Sequence, residues 1–308
     1  MSEPLPTSSP HSTSKLAAIL ATLAGIALFS GMDAAIKGAS LHLGVYTALL
    51  LRNLIGLAMI APVWLAGKRT LPSRAVLGWH ALRSGVNCGM ALFFFVGIVR
   101  LPIAEGIALS FVAPLIALYL AAVMLGETIR RRAVVASLLG LAGVAVIVAD
   151  RLGSRGGGHD REALIGLAAI LASAILYAVN VVLQRKLALM AGPIEVALFQ
   201  NLIISAMLLV VAPWLALMPT WTEMGLITLG AALATSALAL LAWAYARAEM
   251  QVLVPIEYTA FLWAALFGWL FFGESVGMAM LAGTMLIVLG CWIGTRNRPE
   301  APIEQTLV

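Results

Sequence analysis

Charged residues are scarce in this sequence. They make up 11% of its 308 residues, whereas hydrophobic residues make up 62%. Soluble globular domains carry about a quarter charged residues, so this chain has too little charge to cover a water-exposed surface. Cysteine is scarce as well, since only Cys88 and Cys291 occur, both within apolar stretches. This excludes a disulfide framework and a zinc-type ligand spacing, and the lack of charge indicates a membrane protein.

Motifs that carry enzyme chemistry are also missing. The sequence has no G-x-x-x-x-G-K-[ST] loop, which argues against an ATP-driven pump within this chain. It has neither an H-E-x-x-H metal motif nor a G-x-S-x-G nucleophile elbow. We therefore expect no catalytic residues, no metal and no cofactor. Two alternatives to a transporter stay open: an intramembrane enzyme that uses Glu105 or Glu257 as acid or base, and a channel, for which no repeated filter-like loop is visible.

The sequence does contain long apolar runs of helical composition. A helix that crosses a bilayer needs about 20 apolar residues, and none of these runs shows the period-2 alternation of a barrel strand. We predict an all-α integral membrane protein with ten transmembrane helices. The predicted spans are 16–36, 44–66, 76–98, 102–124, 133–149, 163–183, 194–216, 224–246, 252–272 and 277–295.

A weak internal duplication relates the two halves of the chain. Shifting the first half by 147 residues places Gly126-Glu127 on Gly273-Glu274. The basic run Arg130–Arg132, however, falls on the uncharged residues 277–279. Related halves with opposite loop charge predict two inverted five-helix repeats, the layout of many secondary transporters. The same shift pairs Asp33 with Asn180, Lys37 with Gln184, Arg100 with Arg247 and Gly143 with Gly290.

The distribution of Lys and Arg predicts orientation. The loops on the side of the N-terminus hold more of these residues than the loops on the other side, which favours cytoplasmic N- and C-termini. This bias accounts for most of the net charge of +5, so we expect no nucleic-acid partner. We expect a multi-pass protein of the inner (cytoplasmic) membrane, a monomer or homodimer, with the lipid bilayer and a small-molecule substrate as its partners.

The predicted segments follow from these spans. The N-terminal segment lacks the apolar core of a signal peptide, so we expect it to be a disordered cytoplasmic tail. The glycine-rich stretch near residue 155 is predicted to be a linker. The segments are a tail at 1–15, a first repeat with spans 1–5 at 16–150, a linker at 151–162, a second repeat with spans 6–10 at 163–295, and a cytoplasmic tail at 296–308.

Polar side chains inside apolar spans are costly, so each must face a cavity or a partner. His80, Arg83, Asn87 and Phe94 share one face of span 3. By depth, the polar groups form an outer and an inner set, which we interpret as gates around a site near Asn87. The alternative is that they only neutralise one another between packed helices. The predicted substrate-binding residues are Arg83, Asn87, Phe94, Asn180, Asn201, Trp243, Glu257 and Tyr258; the predicted gate or coupling residues are Asp33, Arg52, Glu105 and Gln200.

Three segments resemble the EamA-type carriers of the drug/metabolite transporter superfamily, and the resemblance covers residues 16–295. They are FSGMDAAIKGA at 29–39, LPIAEGIALSFVAPLIALYLAAVMLGE at 101–127 and RAEMQVLVPIEYTAFLWAALFGWLFFGE at 247–274. The resemblance implies a ten-helix fold with cytoplasmic ends and a central cavity lined by spans 1–4 and 6–9. It also implies that spans 5 and 10 are peripheral.

The substrate expected from the resemblance is a small organic metabolite. MDAAIK, Arg52 and PIEYTAF are similar to the branch associated with uptake of riboflavin or S-adenosylmethionine, and export of amino acids or drugs is the alternative. Arg52 and Arg83 would suit a carboxylate or other anionic group. Glu257 and Asp33 would suit a cation or a coupling proton.

Overall fold

Long apolar stretches form helices here, including two that contain a proline, Pro62 and Pro213, and the chain contains ten helices within the residues that the structure describes. The structure is a computed structural model; it describes residues 10–67, 71–113, 116, 131–153, 160–245, 247, 253 and 256–295. No strand occurs in these ranges. The helices are α1 (Pro10–Leu43), α2 (Val45–Ala66), α3 (Arg74–Arg100), α4 (Ile103–Ser110), α5 (Arg131–Gly153), α6 (Asp160–Ala188), α7 (Pro193–Leu215), α8 (Trp221–Tyr245), α9 (Ala260–Phe272) and α10 (Met278–Thr295).

Six of these helices are long and apolar enough to cross a membrane: α1, α2, α3, α6, α7 and α8. Shorter apolar stretches occur in α5, α9 and α10. The outward faces of the long and the short helices carry large apolar side chains. Examples are Val210 of α7, which is 70% exposed, and Leu262 of α9, which is 64% exposed. Apolar faces of this kind suit a lipid environment, and the fold is that of a multi-pass membrane protein.

Several helices differ in length from the predicted spans. α1 is longer than span 16–36 at both ends and reaches into the predicted tail, whose residues 1–9 lie outside the described part. α5 and α6 reach into both ends of the predicted linker, of which 154–159 are not described. The described part of span 4 is mainly α4, and Glu127, Arg130 and the tail after 295 lie outside the described residues.

Helix pairs from the two halves pack against each other in antiparallel directions. In α2 and α7, Thr47 accepts a hydrogen bond from the Leu217 N–H at 3.1 Å, while further along Gly56 lies against Asn201. In α5 and α10, Gly143 faces Gly283. Because α2 corresponds to α7 and α5 to α10 under the shift of 147 residues, two pairs of equivalent helices run in opposite directions.

The contacts between the halves also repeat. α1 packs along α8, and α3 packs along α6. In the repeat, α1 corresponds to α6, α2 to α7 and α3 to α8. The contact of α1 with α8 is therefore equivalent to that of α6 with α3, and the contact of α2 with α8 is equivalent to that of α7 with α3. Small residues allow these close approaches, as membrane helices require: Gly25 lies against Leu241 of α8, and Gly166 lies against Leu101 beyond α3.

The end of α9 is fixed by a glycine. Gly273 has φ of +64° and ψ of +23°, the left-handed conformation that favours glycine over residues with a Cβ. Its N–H donates to the Trp269 carbonyl at 3.1 Å, and the Glu274 N–H donates to the Gly268 carbonyl at 3.1 Å. This turn directs the Glu274 side chain back over the bundle.

Candidate functional site: two polar layers between the halves

A buried lysine lies near one end of the bundle. The Lys37 side chain of α1 is 4% exposed, and its Nζ donates to the Leu101 carbonyl at 2.8 Å. The same Nζ forms an ion pair with Glu274 Oε1. It also lies 5.1 Å from the ring centroid of Phe272. A lysine in this setting is held by an anion, a carbonyl dipole and an aromatic face together.

Glu274 extends this contact to a third element. Its Oε2 accepts the Ile103 N–H at 2.8 Å, which is one of the N–H groups left without a partner at the start of α4. A carboxylate at a helix N-terminus is also favoured by the helix dipole. We call Lys37, Glu274, Phe272 and the backbone of Leu101 and Ile103 the Lys37 layer. It joins α1 and α4 of the first half to the turn after α9 in the second half.

A second polar layer surrounds Arg83 of α3. Arg83 Nη1 donates to Gln200 Oε1 at 2.7 Å, and Nη2 donates to Gln184 Oε1 at 3.3 Å. Arg83 is 6% exposed, and it forms no ion pair with any carboxylate in the described ranges. We call these three residues the Arg83 layer. It joins α3 of the first half to α6 and α7 of the second.

A histidine contact supports the Arg83 layer. His80, one turn before Arg83, is 1% exposed, and its Nε2 lies 3.2 Å from Glu195 Oε1. Its ring stacks on Phe199 of α7 at a centroid distance of 5.0 Å. His80 is therefore buried between α3 and α7.

The two layers are well separated along α3, since Arg83 lies about a third of the way along the helix and Leu101 follows its last residue. Arg83 and Leu101 are 18 residues apart, which at a rise of 1.5 Å per residue corresponds to about 27 Å. This is close to the ~30 Å thickness of a hydrocarbon core. Lys37 of one layer and Gln184 of the other are equivalent positions of the repeat. The duplicated sequence thus supplies a polar contact between the halves at each end.

Three of the predicted gate residues lie in α1, α2 and α4 of the first half. Asp33 is 8% exposed and lies in electrostatic range of Arg52, but the two side chains form no direct ion pair among the described contacts. Arg52 Nη1 lies 3.8 Å from the sulfur of Met32, and its guanidinium lies 5.8 Å from the Phe95 ring. Glu105 is buried in the first turn of α4.

The other predicted site residues have varied surroundings. Asn87 and Asn180 are buried, and Phe94 is partly buried. Asn201 Nδ2 donates to the Ala197 carbonyl of its own helix at 2.9 Å. Trp243 is 40% exposed and lies under the guanidinium of Arg247 at 4.3 Å.

Glu257 and Tyr258 precede α9. Glu257 is exposed and interacts electrostatically with Tyr177 of α6, and the Tyr258 ring meets Phe111 edge-on at 5.3 Å. Within the described ranges, no group of His, Cys, Asp and Glu side chains is arranged to hold a metal ion.

Three polar side chains of the layers were not among the predicted site residues: Lys37, Glu274 and Gln184. Lys37 was assigned to the loop after the predicted span 16–36, one residue beyond its end. Its buried position in α1 shows that this assignment is wrong. The offset of 147 residues between the two halves could have indicated these residues, because it pairs Lys37 with Gln184 and so places polar side chains at equivalent depths of two helices.

Comparison with known proteins identifies the family. The model of the EamA-like transporter family matches residues 16–149 and again residues 164–295. The chain belongs to the EamA-like transporter family. This membership indicates a transporter rather than an enzyme, and it agrees with the resemblance found in the sequence.

Individual relatives match along nearly the whole chain. The pseudopaline exporter CntI of Pseudomonas aeruginosa (strain UCBPP-PA14) is 25% identical over 286 residues, covering 92% of this chain and 97% of the relative. The riboflavin transporter of Vibrio cholerae serotype O1 is 27% identical, covering 91% of this chain and 94% of the relative. One solved crystal structure matches with a TM-score of 0.61 and 23% identity, covering 92% of this chain and 96% of the other. That last likeness is one of fold.

Proposed function

We propose that this EamA-like protein is a secondary transporter that moves a small organic metabolite across the cytoplasmic membrane by alternating access. The observation that carries this proposal is the pair of polar layers. Each joins the two halves, and they lie about 27 Å apart along α3, as measured from Arg83 to Leu101. A transporter of this type needs one closure on each side of a central site.

The proposed architecture is two inverted five-helix repeats with cytoplasmic ends. The antiparallel packing of α2 with α7 and of α5 with α10 supports it, because equivalent helices of an inverted repeat cross the membrane in opposite directions. In this orientation the Lys37 layer is the outer closure and the Arg83 layer is the inner closure. The charge difference between Arg130–Arg132 and residues 277–279 supports the same orientation.

The proposed substrate site lies next to the Arg83 layer, toward the middle of the bundle. Arg83 and Asn87 are the first substrate contacts, and Asn180 lies on the facing helix. Gln200 has a role in closure through its hydrogen bond to Arg83. Glu257 with Tyr258 is proposed as an inner ligand or proton site, and Arg52, Asp33 and Glu105 as groups between the outer closure and the site.

The substrate is proposed to be a vitamin, a nucleoside derivative or an amino-acid-like compound. The relatives include a pseudopaline exporter and a riboflavin transporter, so both export and uptake are represented among similar chains. Export of amino acids or drugs is therefore the second candidate within the same class. A counterflow screen in proteoliposomes over these compound classes identifies the substrate.

Accessibility of single cysteines tests alternating access. In a variant free of Cys88 and Cys291, we introduce cysteine at Ser40, one turn beyond Lys37, or at Ser84, next to Arg83. Both serines are buried, at 3% and 1% exposure. We expect a membrane-impermeant thiol reagent to reach the first only from outside and the second only from inside. A substrate should change the two reactivities in opposite directions. If both positions react from both sides at once, the protein is a channel and the proposal is wrong.

A further inference from the structure

Arg83 is a buried cation held only by neutral groups. Its two terminal nitrogens donate to the amide oxygens of Gln200 and Gln184, and no carboxylate of the described residues pairs with it. Taking an ion out of water costs several kcal/mol unless an opposite charge compensates it. Two neutral amides compensate the charge only in part. The surroundings of Arg83 therefore favour a negatively charged group.

One nitrogen of this guanidinium is also left without a partner. Arg83 Nε is fully buried and has no hydrogen-bond partner among the described residues. A guanidinium has five N–H donors, and the edge that includes Nε is one that a carboxylate takes with two parallel hydrogen bonds. A buried donor without a partner is expensive, so the site is incomplete as it stands.

A buried acceptor without a partner lies on the facing helix. Asn180 is 5% exposed, and its Oδ1 has no hydrogen-bond partner among the described residues. Asn180 lies one turn before Gln184 on the same face of α6, and Gln184 already contacts Arg83. The antiparallel register of α3 and α6 sets Asn180 opposite Asn87, as the neighbouring contact between Gly89 and Leu176 shows. A free donor and a free acceptor therefore lie at one interface, with Asn180 one helical turn from the residue that contacts Arg83.

We infer that the transported molecule carries a carboxylate adjacent to an N–H group. The carboxylate accepts from Arg83 Nε, and the N–H donates to Asn180 Oδ1. Amino acids and their N-substituted derivatives have this combination, whereas a neutral vitamin lacks the negative charge. This inference rests on the proposed function and names the substrate class of the same site.

The test uses matched compounds with the detergent-solubilised full-length protein. Each of leucine, glutamate and histidine is compared with its methyl ester, which lacks the carboxylate, and with the 2-hydroxy acid, which lacks the N–H group. Riboflavin serves as the neutral probe. We expect at least one amino acid to raise the melting temperature in a saturable way, and its ester and hydroxy acid to bind about 10- to 100-fold more weakly, because each lacks one hydrogen bond to a buried group.

Variants assign the effect to the two side chains. Arg83→Gln should remove the preference for the acid over its ester, and Asn180→Leu should remove the preference for the amino acid over the hydroxy acid. The control is Ser173→Ala at the same α3–α6 interface, where Ser173 Oγ donates to the Met90 carbonyl at 2.9 Å. It should keep both preferences. If Arg83→Gln does not fold, Arg83→Lys retains the charge without the bidentate edge and should weaken binding of the acid while leaving its ester unchanged.

Several outcomes would overturn the inference. They are equal binding of acid and ester, a response to riboflavin alone, a response to none of the amino acids, and unchanged preferences in both variants. If both variants keep the preferences, Arg83 Nε and Asn180 Oδ1 do not bind the substrate, and water or packing explains why they lack a protein partner. A response to riboflavin alone together with alternating cysteine reactivity would leave the proposed function standing and remove only this substrate class.

Discussion

Gly143 and Gly283 each occupy the space that a side chain would need at the other. A Cβ at Gly283 would lie 2.7 Å from the Gly143 carbonyl oxygen, and a Cβ at Gly143 would meet the Gly283 carbonyl oxygen in the same way. Backbone therefore packs on backbone where α5 and α10 cross. Since α5 and α10 are equivalent helices of the two halves, the halves meet here at a point where neither tolerates a larger residue.

Replacing one of these glycines should destabilise the protein. We expect Gly283→Ala to lower the free energy of unfolding by about 1–3 kcal/mol, because the added methyl group overpacks the contact. The measurement is the melting temperature in detergent. The matched control is Gly225→Ala in α8, where a Cβ meets nothing within 4 Å. It should be neutral or slightly stabilising, since alanine favours helix more than glycine does. Equal effects of the two changes would contradict the close contact.

The ion pair of the Lys37 layer should show strong coupling. Lys37→Met and Glu274→Gln each leave a buried charge without its partner, which costs about 3–5 kcal/mol. The double variant should be more stable than the sum of the two single effects predicts, because it leaves neither charge behind. Melting temperatures of all four proteins give the coupling energy. Additive effects would mean that the two groups do not interact.

An exposed pair provides the control for this cycle. Arg100 Nε and Glu162 Oε2 are 2.7 Å apart, but the Glu162 side chain is 68% exposed. Exposed ion pairs contribute about 0–1 kcal/mol. Glu162→Gln should therefore change the melting temperature far less than Glu274→Gln, although both changes remove one carboxylate charge.

The proposed inversion of the repeat makes a prediction about sidedness. In a background free of Cys88 and Cys291, a cysteine at position 130 should react with an impermeant reagent only from the cytoplasm. A cysteine at position 277 should react only from outside. The reason is that Arg130 begins a basic run, whereas the equivalent residues 277–279 are uncharged. Labelling of both from the same side would rule out the proposed inversion.

Glu257 should separate exchange from accumulation if it carries a coupling proton. We expect Glu257→Gln to retain substrate exchange, since the amide resembles the protonated carboxyl group, and to lose accumulation driven by a proton gradient. Both are measured as flux in proteoliposomes. Glu223→Gln is the control, because Glu223 accepts the Thr220 N–H at 2.7 Å at the exposed start of α8. Wild-type accumulation by Glu257→Gln would exclude the coupling role.

Helix boundaries were predictable from the sequence where hydropathy alone determines them. α2 covers Val45–Ala66, almost the predicted span 44–66. α1 was predicted too short because Asp33 and Lys37 lower the apolar character of its second half. Lys37 is accommodated by Glu274, which lies 237 residues away in the chain. Hydropathy along one segment does not include an ion pair that compensates a buried charge only after the two halves have packed.

The candidate site was also predictable only in part. Arg83 and Gln200 were placed at the same depth by counting residues along their spans, and the structure brings their side chains together. Their role in transport stays a prediction. Asn201 was predicted beside them, but its amide binds its own helix at Ala197. Depth follows from position in a span, whereas the direction of a side chain depends on packing that periodicity does not specify.

Gly273 shows how a residue without contacts can affect the rest of the molecule. A Cβ at this position would meet nothing within 4 Å, so a side chain there has room. The left-handed dihedral angles nevertheless cost a residue with a Cβ roughly 1–2 kcal/mol. The next residue, Glu274, reaches Lys37 of α1 and the Ile103 N–H of α4. Any relaxation of this one turn thus moves a carboxylate on which two other helices depend. The Lys37 layer depends on a torsion angle as much as on the charges that form it.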